Sequence, residues 1–259
     1  MLRACSFLPA ATEIICQLGL EEQLQGVTFE CRLSRPHVVK SNIHMSSLSF
    51  SSLSSAEIDE RVRESKQSGK DLFSLDEALL HSISPDLIFI QDVCTVCQID
   101  SATVEKSLAR LNPAPTLISL QPRHLDDVLE NVSLVAEAFG ERARGESLRG
   151  KLEQRIAAVE STLARNNAPL RTVSVLEWLS PIYNCGHWIP DQLRIAGGRD
   201  ELSNPGGYSA PLAWTEFCEF DPEVMILAPC GFGLVRTLGE MESLTSLPGW
   251  KELRAVRNR

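Results

Sequence analysis

Apolar and polar positions along this chain follow two periods, one of strand type and one of helix type, and they alternate in the order strand then helix. RACSFL (3–8) is the first strand-length run, and a helical pattern over about 11–18 follows it, starting after Pro9 and stopping at Gly19. LQGVTF (24–29) reads as a second strand, ending at Glu30 and Cys31. The serine-rich stretch MSSLSFSSLSS (45–55) predicts a flexible surface loop. Helices are expected over SAEIDERVRESKQSG (55–69) and SLDEALLHSI (74–83). DLIFI (86–90) is apolar throughout, as a strand is when both faces of a parallel sheet are covered, and APTLISL (114–120) completes the first half.

From His124 to about Arg165 the spacing is helical. Val128, Val132, Val135 and Phe139 share one face, and Leu148, Leu152, Ile156 and Val159 continue it. Gly140 and Gly145 mark a break or bend within it. The expected organisation is an N-terminal α/β lobe (1–123), a connecting helical segment (124–166) acting as a stiff strut, and a C-terminal α/β lobe (167–259). The second half echoes the first: ISPDLIFIQDVC (83–94) is answered by FDPEVMILAPC (220–230), and PDQLRIAGG (190–198) repeats the helix and glycine stop of the N-terminal segment.

Composition narrows the partners. With 259 residues, 43% hydrophobic and 23% charged, the chain can bury the cores of two lobes. A net charge of -9 supplies no basic stripe, which argues against nucleic acid and anionic membranes and for a small or neutral ligand. No apolar run is long enough to span a bilayer. Pro9 and Glu13 interrupt the only N-terminal stretch that resembles a leader. A cytoplasmic location is therefore expected, with the eight cysteines held reduced.

In open parallel sheets ligands sit beyond the carboxyl ends of the strands. Four such places carry polar or soft groups: Glu30 with Cys31, Cys94 with Cys97, Cys185 with His187, and Cys230. Thiolate and imidazole suit soft and borderline metals, and the C-x-x-C spacing of Cys94 and Cys97 places two sulfurs on one ion. Cys31, Cys94, Cys97, Cys230 and His187 are thus candidate metal ligands, for zinc or for an iron-sulfur cluster. Their alternative is burial as small core residues, the reading given to Cys5, Cys16 and Cys218. A thioredoxin-type redox pair is the rival for CTVC (94–97). His187 is either a cleft residue or a cap of the helix near Pro190, and Trp178 and Trp188 are either core or flat walls for a ligand ring. His37, His44, His81 and His124 read as surface residues, and no phosphate loop, Ser-His-Asp signature or paired carboxylates stand out.

The segments SFLPAATEIICQLGLEEQLQGVT, SPDLIFIQD, GHWIPDQLRIAGGRDELS and APLAWTEFCEFDPEVMILAPCGFG occur in the order that resembles the cobalamin and iron-siderophore class of periplasmic binding proteins, the helical-backbone metal receptors. The resemblance implies two Rossmann-like lobes with parallel sheets joined by a long helix, and a metal chelate such as cobalamin held between them. It also implies, for exported members, delivery to an ATP-driven importer. This chain departs from that pattern, so importer docking is not expected of it. The cysteines in TFEC, QDVCTVC and APC resemble a cytosolic cobalamin-binding branch, and relatives continue past LPGWKELRAVRNR with another strand and a closing helix, which implies an incomplete C-terminal lobe.

The expectation is an intracellular binding protein, with catalysis not assigned, that holds a corrinoid or other metal-containing ligand. Glu30, Trp178, His187 and Trp188 are its walls, and Cys31, Cys94, Cys97, Cys230 or His187 approach the metal. The alternatives are a cytosolic enzyme or redox protein with a Cys-ligated zinc or iron-sulfur centre, and a ligand-free interaction module.

Overall fold

The computed structural model describes residues 1–42, 53–69, 72–91, 104, 107–108 and 111–258. The chain forms two compact units. Unit 1 comprises Met1–Ser47, Val62–Pro122 and Asp126–Leu152, and unit 2 comprises Leu48–Arg61, Arg123–Leu125 and Glu153–Arg259.

Unit 1 is built on six strands: β1 (Ala4–Ser6), β2 (Leu24–Thr28), β3 (His37–Ser41), β4 (Phe73–Leu75), β5 (Leu87–Gln91) and β6 (Thr116–Leu120). Their order is β4-β3-β2-β1-β5-β6. All neighbours run parallel except β3 and β4, which are antiparallel. The chain leaves β1 toward β2 on one side, and β5 returns on the other, so a switch of winding falls between β1 and β5. Helix α1 (Pro9–Gln17) starts at Pro9, two residues before the expected start, because proline has no N–H to leave unbonded in a first turn. Helix α2 runs Ser55–Ser68 and α3 runs Glu77–Ile83, the latter capped by Asp76, which accepts from the Leu79 N–H at 3.0 Å.

Strands β3 and β4 were not expected from the sequence. Each is short, and β4 is only half-buried, so neither shows a clean alternation.

One face of this sheet packs Leu8, Ile15, Leu24, Val27 and Phe89 against Val135, Ala136 and Phe139; the other packs Val38, Leu80, Ile88 and Ile90 with Val104 and Leu108. Burying each such side chain is worth about 1.5–3 kcal/mol.

The helical stretch after His124 divides, as its glycines suggest, into α4 (Leu125–Ala138) and α5 (Arg142–Arg165). Gly140, at φ +72°, ends α4, and the Glu141 N–H reaches back to the Ala136 carbonyl at 2.8 Å. Gly145 serves differently: a Cβ there would lie 2.5 Å from that of Ala136, so its absence lets the two helices pack closely.

Unit 2 carries a three-stranded parallel sheet, β11-β7-β13, formed by β7 (Arg171–Leu176), β11 (Gly198–Arg199) and β13 (Val224–Leu227). Strand β7 ends at Leu176; Trp178 belongs to a separate two-residue strand, β8 (Trp178–Leu179), which pairs with β9 (Ile182–Tyr183). A further pair joins β10 (Gly186–His187) to β12 (Asn204–Pro205). Helix α6 (Ile189–Ile195) follows β10, and α7 (Trp214–Phe220) precedes β13. Leu176, Phe217, Leu244 and Trp250 form the core of one face of the main sheet; Val173, Val175 and Leu193 pack on the other.

The sequence echo between the halves has a physical basis. Helix α3 ends at Ser84 (φ +46°) and α7 at Asp221 (φ +42°), each followed by proline and an acidic residue. In unit 1 the Arg3 N–H donates to the Asp86 carboxylate at 2.7 Å, and the Asp86 N–H returns to the Arg3 carbonyl at 2.7 Å. In unit 2 Thr172 and Glu223 make the same exchange, at 3.0 and 2.9 Å. The acid after each proline therefore sets the register of its strand against the first strand of its unit.

Candidate functional site

Within unit 2, strands β7 and β13 end side by side. The Ala228 N–H donates to the Leu176 carbonyl at 3.0 Å, and the Cys230 N–H donates to the Glu177 carbonyl at 3.1 Å. Two residues named from the sequence, Trp178 and Cys230, thus stand at one edge. Cys230 is exposed, on a turn that Gly231 completes at φ +76°.

Side chains not anticipated from the sequence complete this edge. Phe232 lies against Trp178, with ring centroids 5.2 Å apart and planes tilted by 58°. The guanidinium of Arg236, on helix α8 (Leu234–Gly239), sits 3.9 Å from the centre of the Phe232 ring. Arg236 also donates to the Leu53 carbonyl at 2.5 Å and lies 3.9 Å from Glu240, and burial pulls its pKa down. Phe232, Arg236 and Glu240 are spaced four apart; that i, i+4, i+8 spacing beyond a strand end was the signal available in the sequence. Leu234, Val235 and Leu238 on α8 expose 75%, 86% and 60% of their surface, an apolar patch beside the aromatic pair.

His187 is half-buried on β10, with its Nε2 atom buried and its backbone at φ +52°, a conformation uncommon outside glycine. Two hydrogen bonds hold it there: His187 N–H to the Gly207 carbonyl at 2.7 Å, and Gly206 N–H to the His187 carbonyl at 3.0 Å. Its ring meets Trp188 at 5.7 Å and Tyr208, edge-on, at 5.5 Å. The neighbouring Ser209 donates to the Glu177 carboxylate, which links this loop to the end of β7. His187 does not cap the following helix; Trp188 occupies the cap position of α6.

Cys185, two residues earlier, is fully buried, with its thiol 3.7 Å from Asp200; burial, then the nearby carboxylates, raise its pKa. It is a core residue.

In unit 1 the edge at the end of β2 carries Glu30 and Cys31. Glu30 is solvent-exposed yet crowded by protein, and the resulting desolvation pushes its carboxyl up to about 7. Cys31 belongs to the core beside α1. It is 8% exposed, its Sγ lies 3.1 Å from the Thr12 hydroxyl, and burial raises its pKa. Cys5 is likewise buried, its thiol pushed up to about 12, while Cys16 and Cys218 are half-buried. His37, His81 and His124 are exposed, as read from the sequence; His124 Nδ1 lies 3.2 Å from the Asp191 carboxylate.

Cys94, Cys97 and His44 lie outside the described residues. Among the described residues no three His, Cys, Asp or Glu side chains gather to hold a metal ion, and no helix is long and apolar enough to cross a membrane.

Known proteins supply the wider context. No curated protein matches the chain. Solved structures share its fold. The periplasmic heme-binding protein RhuT from Roseiflexus sp. RS-1 is 20% identical with a TM-score of 0.70, over 100% of this chain and 87% of that one. The periplasmic vitamin B12 binding protein BtuF of Vibrio cholerae is 17% identical with a TM-score of 0.65, over 99% of this chain and 84% of its own. The periplasmic heme binding protein HutB of Vibrio cholerae is 16% identical with a TM-score of 0.70, over 99% and 87%. The family model described as periplasmic binding protein matches residues 75–259, which takes in β5 and β6 of unit 1 and the whole sheet of unit 2. With its parallel sheets, its strand-end edges and that match over most of its length, the chain belongs to the periplasmic binding protein family.

Proposed function

We propose that this protein binds a flat metal chelate, and among such chelates a corrinoid. One observation carries the reading: Trp178, Phe232 and Cys230 converge beyond the ends of β7 and β13, where two aromatic rings and a thiol stand beside the exposed apolar side of α8. Aromatic faces suit a macrocycle, and a thiol or imidazole suits its metal. Vitamin B12 and heme are what BtuF, RhuT and HutB bind by their names, and both are chelates of this kind.

Charge favours the corrinoid over heme. Heme carries propionate carboxylates, which call for a cationic partner, whereas the rim of a corrinoid is lined with neutral amides. The cation at this edge, Arg236, is already engaged by Phe232, Leu53 and Glu240, and its side chain is 19% exposed. Glu177 at the same edge is acidic, and the whole chain carries a net charge of -9. In this reading Trp178, His187 and Trp188, all in unit 2, contact the ligand. Cys230 and His187 are the described groups suited to the metal, since the buried Cys31 thiol is held protonated in its core.

Absorbance titrations with hydroxocobalamin and with hemin test this. A saturable 1:1 shift of the corrinoid bands is expected, with hemin binding at least about tenfold more weakly. Tighter hemin binding would reverse the assignment within the chelates, and no response to either compound would sink it.

A further inference from the structure

We propose that residues 53–59 form a releasable strap across Trp178, and that the ligand reaches the indole by lifting it. The identity of the ligand rests on the chelate reading above; the strap does not.

The sequence reads this segment as the end of a loop and the start of a helix, yet the rest of unit 2 grips it at Leu53, Ser55 and Asp59. The Leu53 carbonyl accepts from Arg236 at 2.5 Å, and the Ser55 carbonyl accepts from Trp178 Nε1 at 3.1 Å. The Ser55 N–H and hydroxyl both donate to the Glu240 carboxylate, at 3.1 and 2.9 Å. Asp59 accepts from the Tyr183 hydroxyl at 3.3 Å. Trp178, Arg236 and Glu240 belong to the edge beyond β7 and β13, and Tyr183 lies on the strand paired with Trp178.

Two features make this hold releasable. First, it is polar: Leu53 and Ile58 are only half-buried and neither belongs to a core cluster, so opening breaks hydrogen bonds without exposing a packed interior. Second, the start of α2 does not depend on it. Ser54 and Glu57 form a reciprocal cap, with the Ser54 N–H donating to Glu57 at 2.7 Å and the Glu57 N–H donating to the Ser54 hydroxyl at 3.3 Å. The strap can therefore leave as a formed helical turn.

Closed, it occupies the indole N–H of Trp178 while Phe232 covers part of the ring. A macrocycle stacked on Trp178 competes with this arrangement. Binding then selects the open population, and weakening the strap raises the binding-competent fraction.

Hydrogen exchange read by mass spectrometry, with stopped-flow binding of hydroxocobalamin, tests the proposal on the whole chain and on Glu240→Gln. In the native protein, peptides covering 53–59 should exchange at least about tenfold faster than those of β7 and β13. Glu240→Gln should accelerate 53–59 by about tenfold, leave β7 and β13 unchanged, and bind hydroxocobalamin several-fold faster. Exchange of 53–59 only in step with β7 and β13, or a uniform acceleration in the variant, would overturn the strap. So would equal association rates where hydroxocobalamin binds both proteins. If it binds neither, the chelate reading falls, and the exchange rates alone decide for or against the strap.

Discussion

The Cys230 N–H donates to the Glu177 carbonyl at 3.1 Å, one residue beyond the end of β7 and three beyond the end of β13. That bond ties the two following turns together, with the offset between the two segments one residue longer than in the Ala228 to Leu176 bond before it. It fixes where Trp178, next after Glu177, and Phe232, two after Cys230, must lie, and the 5.2 Å ring contact between them follows from it. The strand-end bonds of unit 2 thereby place the aromatic pair of the candidate site.

Replacing Trp178 separates its ring from its N–H. Trp178→Phe keeps a ring near Phe232 but strands the Ser55 carbonyl, and should lower stability by about 1 kcal/mol. Trp178→Ala also removes the ring from a half-buried position and should cost about 2 kcal/mol. Denaturant midpoints give these values. Binding separates the two variants further: hydroxocobalamin affinity should fall about tenfold or more for the alanine variant, whereas the phenylalanine variant, which keeps a ring and loses the Ser55 bond of the strap, should bind no more weakly than the native protein.

Gly186→Ala tests the scaffold of His187. A Cβ at position 186 would meet the Gly207 carbonyl oxygen at 2.5 Å and the Ser209 nitrogen at 2.6 Å, both backbone atoms. The 206–209 loop must move away, taking with it the bonds that hold His187 at positive φ and the Ser209 contact to Glu177. A loss of about 2–3 kcal/mol is expected from such overpacking, read as a lowered thermal midpoint.

Much of this architecture was legible because its signals are local. The proline-acid pairs at Pro85-Asp86 and Pro222-Glu223 announce a helix stop, a register bond and an apolar strand within a few residues, and both repeats are present in the structure. Cys230 was legible as a strand-end residue through the rule for parallel sheets, whereas Trp178 was named for its ring alone, as core or as a flat wall. What was not legible depends on contacts distant in sequence. Leu53 and Ser55 look like loop residues until Arg236, 183 positions away from Leu53, and Glu240, 185 from Ser55, are brought to them. Cys31 sits beside a strand end like Cys230, yet its side chain turns toward Thr12 and the core; backbone placement alone does not reveal that. Strand β3 carries only two buried residues, too few for a periodic signal.

The Asp76 carboxylate gives a pH signature independent of any ligand. The Lys40 ammonium at 2.7 Å and the Leu79 N–H at 3.0 Å hold its pKa below the ordinary value of 3.8. A lowered folded-state pKa means stability that is present above the ordinary value and lost as pH falls through the folded one. Asp76→Ala should therefore be less stable than the native protein at neutral pH, by about 1 kcal/mol for the lost cap. The gap should close as pH falls through the lowered folded-state pKa and the native carboxylate protonates. Urea midpoints from pH 7 to pH 2 provide the comparison; a gap that persists at the acid end would assign the loss to packing instead.

The two strand-end cysteines should behave oppositely toward iodoacetamide, because reaction needs an accessible thiolate. Cys230 is exposed and should alkylate in the folded protein; Cys31, buried beside Thr12 with a raised pKa, should react only on unfolding. Cys31→Ala should cost about 1 kcal/mol through its lost contacts, and Cys230→Ala should leave stability within about 0.5 kcal/mol of the native value. Peptide mapping after brief labelling reads both sites at once. Saturating hydroxocobalamin should then slow alkylation of Cys230 at least about tenfold if that thiol lies against the bound macrocycle. Unchanged labelling of Cys230 in a protein that demonstrably holds the corrinoid would remove it from the metal and leave His187 as the described donor.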